Sequence, residues 1–216
     1  MSVQDAGAQL AAPWLHAQEG MRVLDACAAP GGKTGHLAEL SDAQIDAVEL
    51  DPERVGRVSE NLRRLGLMER VRVLTADASD PVSFWDGRPY QRILLDAPCT
   101  ASGIVRRHPD IPWLRREADV AQLTTIQARL LDALWPLLAP AGRLLYVVCS
   151  VFREEADQQA DSFLERHSDA RLAPLPGALH GWHQLLPTGA GPVEPGHIVG
   201  LPTEHDGFFF ALFEKV

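Results

Sequence analysis

Short apolar runs, most of them ending in an acid or a cysteine, alternate along this chain with stretches whose apolar positions recur every three or four residues. Met21-Arg22-Val23-Leu24-Asp25-Ala26 reads as a first strand, 45–51 as a second and 71–77 as a third. Ile93-Leu94-Leu95 leads to Asp96 as a fourth, and Leu144-Leu145-Tyr146-Val147-Val148 leads to Cys149 as a fifth. Between them, His36 to Leu40 reads as helical, and Val55, Val58, Leu62 and Leu65 mark one face of a helix that Gly66 stops. Leu123, Ile126, Leu130, Leu131, Leu134 and Leu138 predict a long helix over 118–138, and 154–167 a further one. Residues 1–18 form a lead-in with a helix over 3–18, carried by Val3, Leu10, Trp14 and Leu15. Strands alternating with helices predict an α/β fold with a parallel sheet.

From Ala173 to Gly207 the pattern breaks, with 13 of 35 residues Pro or Gly. This reads as a long irregular connection, because Gly207-Phe208-Phe209-Phe210-Ala211-Leu212-Phe213 beyond it still has to be buried. That last run is expected to be an edge-region strand returning to the sheet.

The 216 residues suit one domain with a sizeable core. No apolar run approaches the roughly 20 residues of a membrane span, and Met1-Ser2-Val3-Gln4-Asp5 lacks the basic and apolar regions of a signal peptide. Three cysteines make no disulfide framework, so a reducing cytoplasm is the expected location. A net charge of −9 argues against general stickiness toward nucleic acid but leaves room for a local basic face. Only Lys33 and Lys215 are lysines, which draws attention to Lys33 inside a glycine-rich loop.

That loop, Cys27-Ala28-Ala29-Pro30-Gly31-Gly32-Lys33-Thr34-Gly35, lies between a strand and a helix, as in the nucleotide-binding half of a doubly wound fold. It is neither of the common phosphate loops. A P-loop needs glycine where Cys27 stands, and Gly31, Gly32 and Gly35 miss the dinucleotide spacing. Acids end three successive strands, Glu49, Asp77 and Asp96. S-adenosylmethionine suits this set: backbone N–H groups and Lys33 toward its carboxylate, Glu49 toward its ribose, Asp77 toward its adenine amino group. The bland alternative is that strand-end acids cap the following helices.

Leu24-Asp25-Ala26-Cys27-Ala28-Ala29-Pro30-Gly31-Gly32-Lys33-Thr34, Asp96-Ala97-Pro98-Cys99 and Cys149-Ser150 together resemble the RNA cytosine-5 methyltransferases that use S-adenosylmethionine. Residues 104–116, from Ile104 to Arg116, are similar to the bacterial 16S ribosomal RNA branch of that family. The resemblance covers nearly the whole chain. It implies a Rossmann-like S-adenosylmethionine-dependent methyltransferase fold, with a seven-stranded, mostly parallel sheet whose last strand is antiparallel. It also implies cofactor contacts from Cys27 through Ala28, Ala29, Pro30, Gly31 and Gly32 to Lys33, with Glu49, Asp77 and Asp96. Cys149 is implied as the nucleophile, Cys99 as the thiol that helps release product, and Asp96 and Lys33 as their catalytic neighbours. Glu49 stands where aspartate is commoner, Val148 replaces a threonine, and Arg153-Glu154-Glu155-Ala156 replaces Pro-Glu-Glu-Asn. The family's ribosomal RNA members also carry an N-terminal RNA-binding domain, so this chain reads as a single catalytic domain without it, either a fragment or a short form.

Arg106, Arg107, Arg115 and Arg116, with Trp113 among them, are candidates for gripping phosphates and stacking a base; a solvated loop is the plain alternative. His180 and His183 make no convincing metal site. The expected assembly is a monomer on small-subunit ribosomal RNA, with no metal and no membrane. Transfer RNA as substrate, and a non-catalytic RNA-binding or ribosome-assembly role, are the alternatives.

Overall fold

The structure, a computed structural model, describes residues 3–175, 181–188 and 204–216. Strands β1 (Arg22–Ala26), β2 (Gln44–Glu49), β3 (Val71–Thr75), β4 (Tyr90–Asp96) and β5 (Leu138–Val148) pair in parallel in the order β3-β2-β1-β4-β5. The short β6 (Ala170–Leu172) and β7 (Trp182–Leu185) both pair antiparallel with β8 (Phe208–Lys215), which itself runs antiparallel to β5. Among the described residues the sheet has eight strands where seven were expected. The two extra-short strands lie end to end along one side of β8, Leu172 opposite Phe213 and Trp182 opposite Ala211, as one interrupted edge. β8 thus returns to the edge region of the sheet, as expected, with only β6 and β7 beyond it among the described residues.

Helices α1 (Ala11–Leu15), α2 (Gly32–Leu40) and α3 (Pro52–Leu65) contribute to one core, and α5 (Glu117–Leu134) and α6 (Asp157–Arg166) to another, with the short α4 (Ile111–Leu114) exposed. The period-2 geometry of a strand sorts neighbours to opposite faces. Leu145 and Val147 join Trp14, Leu37 and Leu62 on one side; Leu144, Tyr146 and Val148 join Leu131, Leu134 and Phe163 on the other. β8 divides likewise, Phe208, Phe210 and Leu212 against Phe209, Ala211 and Phe213. Covering both faces is why these strands read as unbroken apolar runs. Truncating Phe163, fully buried between Trp135 and Phe213, is expected to cost ~3–5 kcal/mol.

α3 shows how local sequence sets an element's limits. Asp51 accepts from the Glu53 N–H at 2.9 Å, Pro52 takes the first turn, and Gly66 at φ 73° closes the helix. The helix expected over 3–18 is far shorter, a 3-10 turn at Ala8–Leu10 running into α1. Gln4 and Asp5 are committed elsewhere: Gln4 Nε2 donates to the Gly32 carbonyl at 2.6 Å, and Asp5 Oδ1 accepts from the Gly7 N–H at 2.8 Å. Part of the irregular connection before β8 lies outside the described residues.

Candidate active site

The strand order reverses between β1 and β4, and ligands of open α/β sheets bind beyond the strand ends at such a point. A cleft of about 470 Å³ opens there, lined among others by Cys27, Glu49, Asp77, Asp96, Cys99 and Cys149. The ends of five strands therefore deliver their polar residues to one place.

Cys99 lies three residues beyond β4 and Cys149 directly follows β5. The register that places Asp96 beside Val147 sets these two loops side by side. Both thiols are free, and their sulfurs are 3.4 Å apart. The Cys99 hydrogen bond holds the Cys149 thiol below the ordinary range, against burial and the charge of Asp96, with the Lys33 ammonium helping. The same pairing, then burial, pushes the Cys99 thiol well above that range. Either sulfur can donate across this contact, and the opposite shifts favour Cys99 as the S–H donor to Cys149.

Asp96 Oδ2 accepts from Lys33 Nζ at 2.7 Å. Burial lowers the Lys33 pKa, but Asp96 more than restores it, so Lys33 stays an ammonium between Asp96 and Cys149. Lys33 is therefore turned to Asp96 instead of lining the cleft wall. Of the glycine-rich loop, Cys27 and Ala29 line the cleft. Gly31, at φ 93°, lies where a Cβ would come within 3.1 Å of the Val58 backbone, so the loop packs this closely on α3 only as glycine. Cys27, in the left-handed region at φ 62°, has its thiol driven up by burial and Glu49, which suits a packed group and not a nucleophile.

Glu49 is 3% exposed; its carboxylate accepts from the N–H groups of Ala29 and Asp51, both at 3.2 Å, and from Arg54 at 3.3 Å. Asp77 Oδ1 accepts from the Ser79 N–H and hydroxyl, which hold its pKa down, while Oδ2 faces Arg129 at 3.8 Å. Leu50 and Ile126, both exposed, add apolar walls. A buried acid at the end of β2, a second acid after β3 and apolar walls in a cleft of this size fit a nucleoside-bearing ligand such as S-adenosylmethionine. Asp25, fully buried behind the loop, is pushed up to about 7 by burial, opposed by its hydrogen bond from the Thr34 hydroxyl.

The arginines divide. Arg107 pairs with Asp206, which is fully buried, and Arg106 approaches the same carboxylate at 3.9 Å. Arg115 Nε donates to the Thr100 carbonyl at 2.8 Å, tying down the loop after Cys99. Both Arg107 and Arg115 are thus engaged within the protein. Arg116 is exposed, and Trp113 on α4 is 88% exposed. Behind the thiols, Gly103 donates its N–H to the Cys149 carbonyl at 2.9 Å and accepts from the Gly207 N–H at 2.8 Å. A Cβ on Gly103 would stand 2.2 Å from the Gly207 oxygen, so only glycine permits this crossing.

Several site residues were not singled out in the sequence. Leu50, Arg54, Ile126 and Arg129 had no signal beyond their place near strand ends or on a helix face. Glu155 was named only within the segment that replaces the family's Pro-Glu-Glu-Asn, with no role assigned to it. Fully buried, it receives hydrogen bonds from Thr100, Gln127 and Ser150. Among the described residues no group of three or more His, Cys, Asp or Glu is placed to hold a metal. His183 packs edge-on against Trp14, and His180 lies outside the described residues. No described helix is long and apolar enough to cross a membrane.

The sequence model of the family described as 16S rRNA methyltransferase RsmB/F matches residues 12–214. Ribosomal RNA small subunit methyltransferase B of Vibrio cholerae is 45% identical over 218 residues, covering 100% of this chain and 46% of that protein. The protein of the same name from Pseudomonas syringae pv. tomato is 45% identical, covering 100% and 47%. The chain thus spans about half the length of these curated relatives. Among solved structures, PH0851 superposes with a TM-score of 0.86 at 34% identity, over 99% of this chain and 47% of that one. NSun6 from Pyrococcus horikoshii, solved with SFG, an S-adenosylmethionine analogue, superposes with a TM-score of 0.81 at 26% identity, over 99% and 52%.

Proposed function

The chain belongs to the RsmB/F family of 16S rRNA methyltransferases, and from that membership we propose that it transfers a methyl group from S-adenosylmethionine to carbon 5 of a cytosine in small-subunit ribosomal RNA through a covalent cysteine adduct. The carrying observation is the pair of free thiols 3.4 Å apart at the cleft that also holds Asp96.

Carbon 5 of cytosine is too weak a nucleophile to accept a methyl group unaided. Addition of the Cys149 thiolate to carbon 6 makes the ring enamine-like and activates carbon 5, a case of covalent catalysis. The hydrogen bond from Cys99 and the Lys33 charge favour that thiolate. Asp96, held by Lys33, accepts from the cytosine amino group; as the adduct forms, the ring nitrogen takes a proton from solvent and donates it as a hydrogen bond to Asp96. S-adenosylmethionine, when bound, supplies an electrophilic methyl group. Glu49 and Asp77 would hold its ribose and adenine, with Leu50 and Ile126 against the base. After transfer a solvent base takes the carbon 5 proton, and the electron pair of that bond reforms the carbon 5–carbon 6 double bond. The carbon–sulfur bond breaks, the ring nitrogen returns its proton to solvent, and Cys149 departs as a thiolate hydrogen-bonded by Cys99. A target base within a helix has to be flipped out, so a loop is the easier target. Trp113 and Arg116, exposed beside the loop that Arg115 anchors, would meet the RNA; their exposure supports this reading.

Transfer of labelled methyl groups from S-adenosylmethionine to 16S RNA, followed by mapping of 5-methylcytosine, tests this reading. Label appearing on another atom, or none at all with RNA still bound, overturns it in favour of different methyl chemistry or of a non-catalytic factor. Label on transfer RNA alone moves the same chemistry to another substrate.

A further inference from the structure

Glu155 lies fully buried where the loops after β4 and β5 meet α5. Its Oε1 accepts from the Thr100 N–H at 2.9 Å and from Gln127 Nε2 at 3.0 Å. Its Oε2 accepts from the hydroxyls of Thr100 at 2.5 Å and Ser150 at 2.6 Å. Thr100 follows Cys99 and Ser150 follows Cys149, so a single carboxylate joins the residues next to both thiols. These partners are all uncharged. A dry carboxylate without a counter-ion is costly unless its lone pairs are filled, and here four donors fill them. Its own carbonyl accepts from the Tyr146 hydroxyl on β5 at 2.8 Å, and Gln127 also donates to the Pro98 carbonyl at 2.9 Å.

We propose that Glu155 is a positioning residue that sets the separation of Cys99 and Cys149 by binding both thiol-bearing loops at once. The ladder between β4 and β5 aligns the strands but ends before either cysteine. Beyond it, displacement of either loop breaks a hydrogen bond to Glu155 in a site that water does not reach. The negative charge also favours the protonated Cys99, the donor of the pair. What the thiols are for rests on the cytosine-5 reading; the clamp itself does not.

Disulfide closure by diamide reads the thiol separation without RNA or methyl donor. Diamide takes up the two thiol hydrogens and becomes the hydrazine as the sulfur–sulfur bond forms. In the full chain, Glu155→Gln is expected to slow formation of the Cys99–Cys149 bond roughly tenfold or more, because it loses the orientation that makes the reaction effectively unimolecular. Ser150→Ala, which frees one loop only, should slow closure by less and serves if the first variant does not fold. Alkylation of Cys27 by iodoacetamide, which reports the rest of the fold, should stay as in the wild type. Closure at the wild-type rate in both folded variants overturns the proposal. So does slowing matched by an equal rise in Cys27 alkylation, since that is general loosening. A wild-type chain that closes the disulfide rapidly, with closure slowed in the variants, but never methylates RNA sinks the cytosine-5 reading and leaves the clamp standing.

Discussion

Cys99 and Cys149, fifty residues apart in sequence, face each other across 3.4 Å because β4 and β5 are neighbours that end at the same level. The proposed mechanism puts them at opposite ends of one reaction, Cys149 attacking and Cys99 assisting release. Cys149→Ala is expected to abolish methyl transfer and leave no covalent RNA–protein species. Cys99→Ala should still attack and transfer, then stall, so that an adduct accumulates as a shifted band on a denaturing gel. An adduct that persists without Cys149 and vanishes without Cys99 reverses the roles.

Asp25 gives a stability prediction with a definite sign. Its carboxyl is raised from 3.8 in the reference state to about 7 in the fold. Between those values the folded chain binds more protons than the unfolded chain, so stability contributed at low pH is lost as pH rises from about 4 to about 7. Asp25→Asn keeps an acceptor for the Thr34 hydroxyl and removes the buried charge. The variant should melt higher than the wild type at pH 8, by on the order of a few kcal/mol, and the gap should close toward pH 4. Parallel melting curves at all pH values contradict this.

Glu49→Ala should weaken S-adenosylmethionine binding about tenfold or more, the worth of a charge-assisted hydrogen bond of ~1.5–3 kcal/mol. Because Glu49 also accepts from Ala29 and Asp51, the loss includes some of the loop's order. Cys149→Ala, measured in the same calorimeter, should bind the methyl donor normally. Unchanged affinity in the Glu49 variant removes that residue from the cofactor site.

The two ends of the arginine segment should respond differently. Arg107→Ala leaves the buried Asp206 short of its main partner and is expected to lower the melting temperature, by less than the ~3–5 kcal/mol of a fully buried pair because Arg107 is half exposed. Arg116→Ala should leave melting unaltered and reduce the salt slope of RNA binding by roughly one contact. If filter binding shows the same slope in the Arg116 variant, that side chain does not touch phosphate.

Much of the architecture was legible wherever a residue's neighbours in sequence decide its place. The doubly covered strands announced themselves as apolar runs such as Leu144 to Val148, and α3 through Asp51, Pro52 and Gly66. The strand-end acids and both cysteines were legible because a parallel sheet brings strand ends together. What escaped was decided by partners far along the chain. Gln4 and Asp5 leave the helical pattern for Gly32 and Asp206, and charge alone did not show that Arg107 would meet a buried carboxylate. β6 and β7, which flank β8, were missed because three and four residues are too few to show a strand's period.

The crossing of Gly103 and Gly207 bears on how the protein is made. During synthesis the residues up to Ser150 leave the ribosome some 57 positions before Gly207. Both thiols are therefore present well before the segment that backs their loops. Until Gly207 reaches Gly103 and β8 fills its place beside β5, the cysteine loops lack their rear support and the flank of β5 stands open. On the methyltransferase reading proposed above, a nascent chain stalled short of β8 would carry both thiols and lack the strand and the glycine crossing that back their loops.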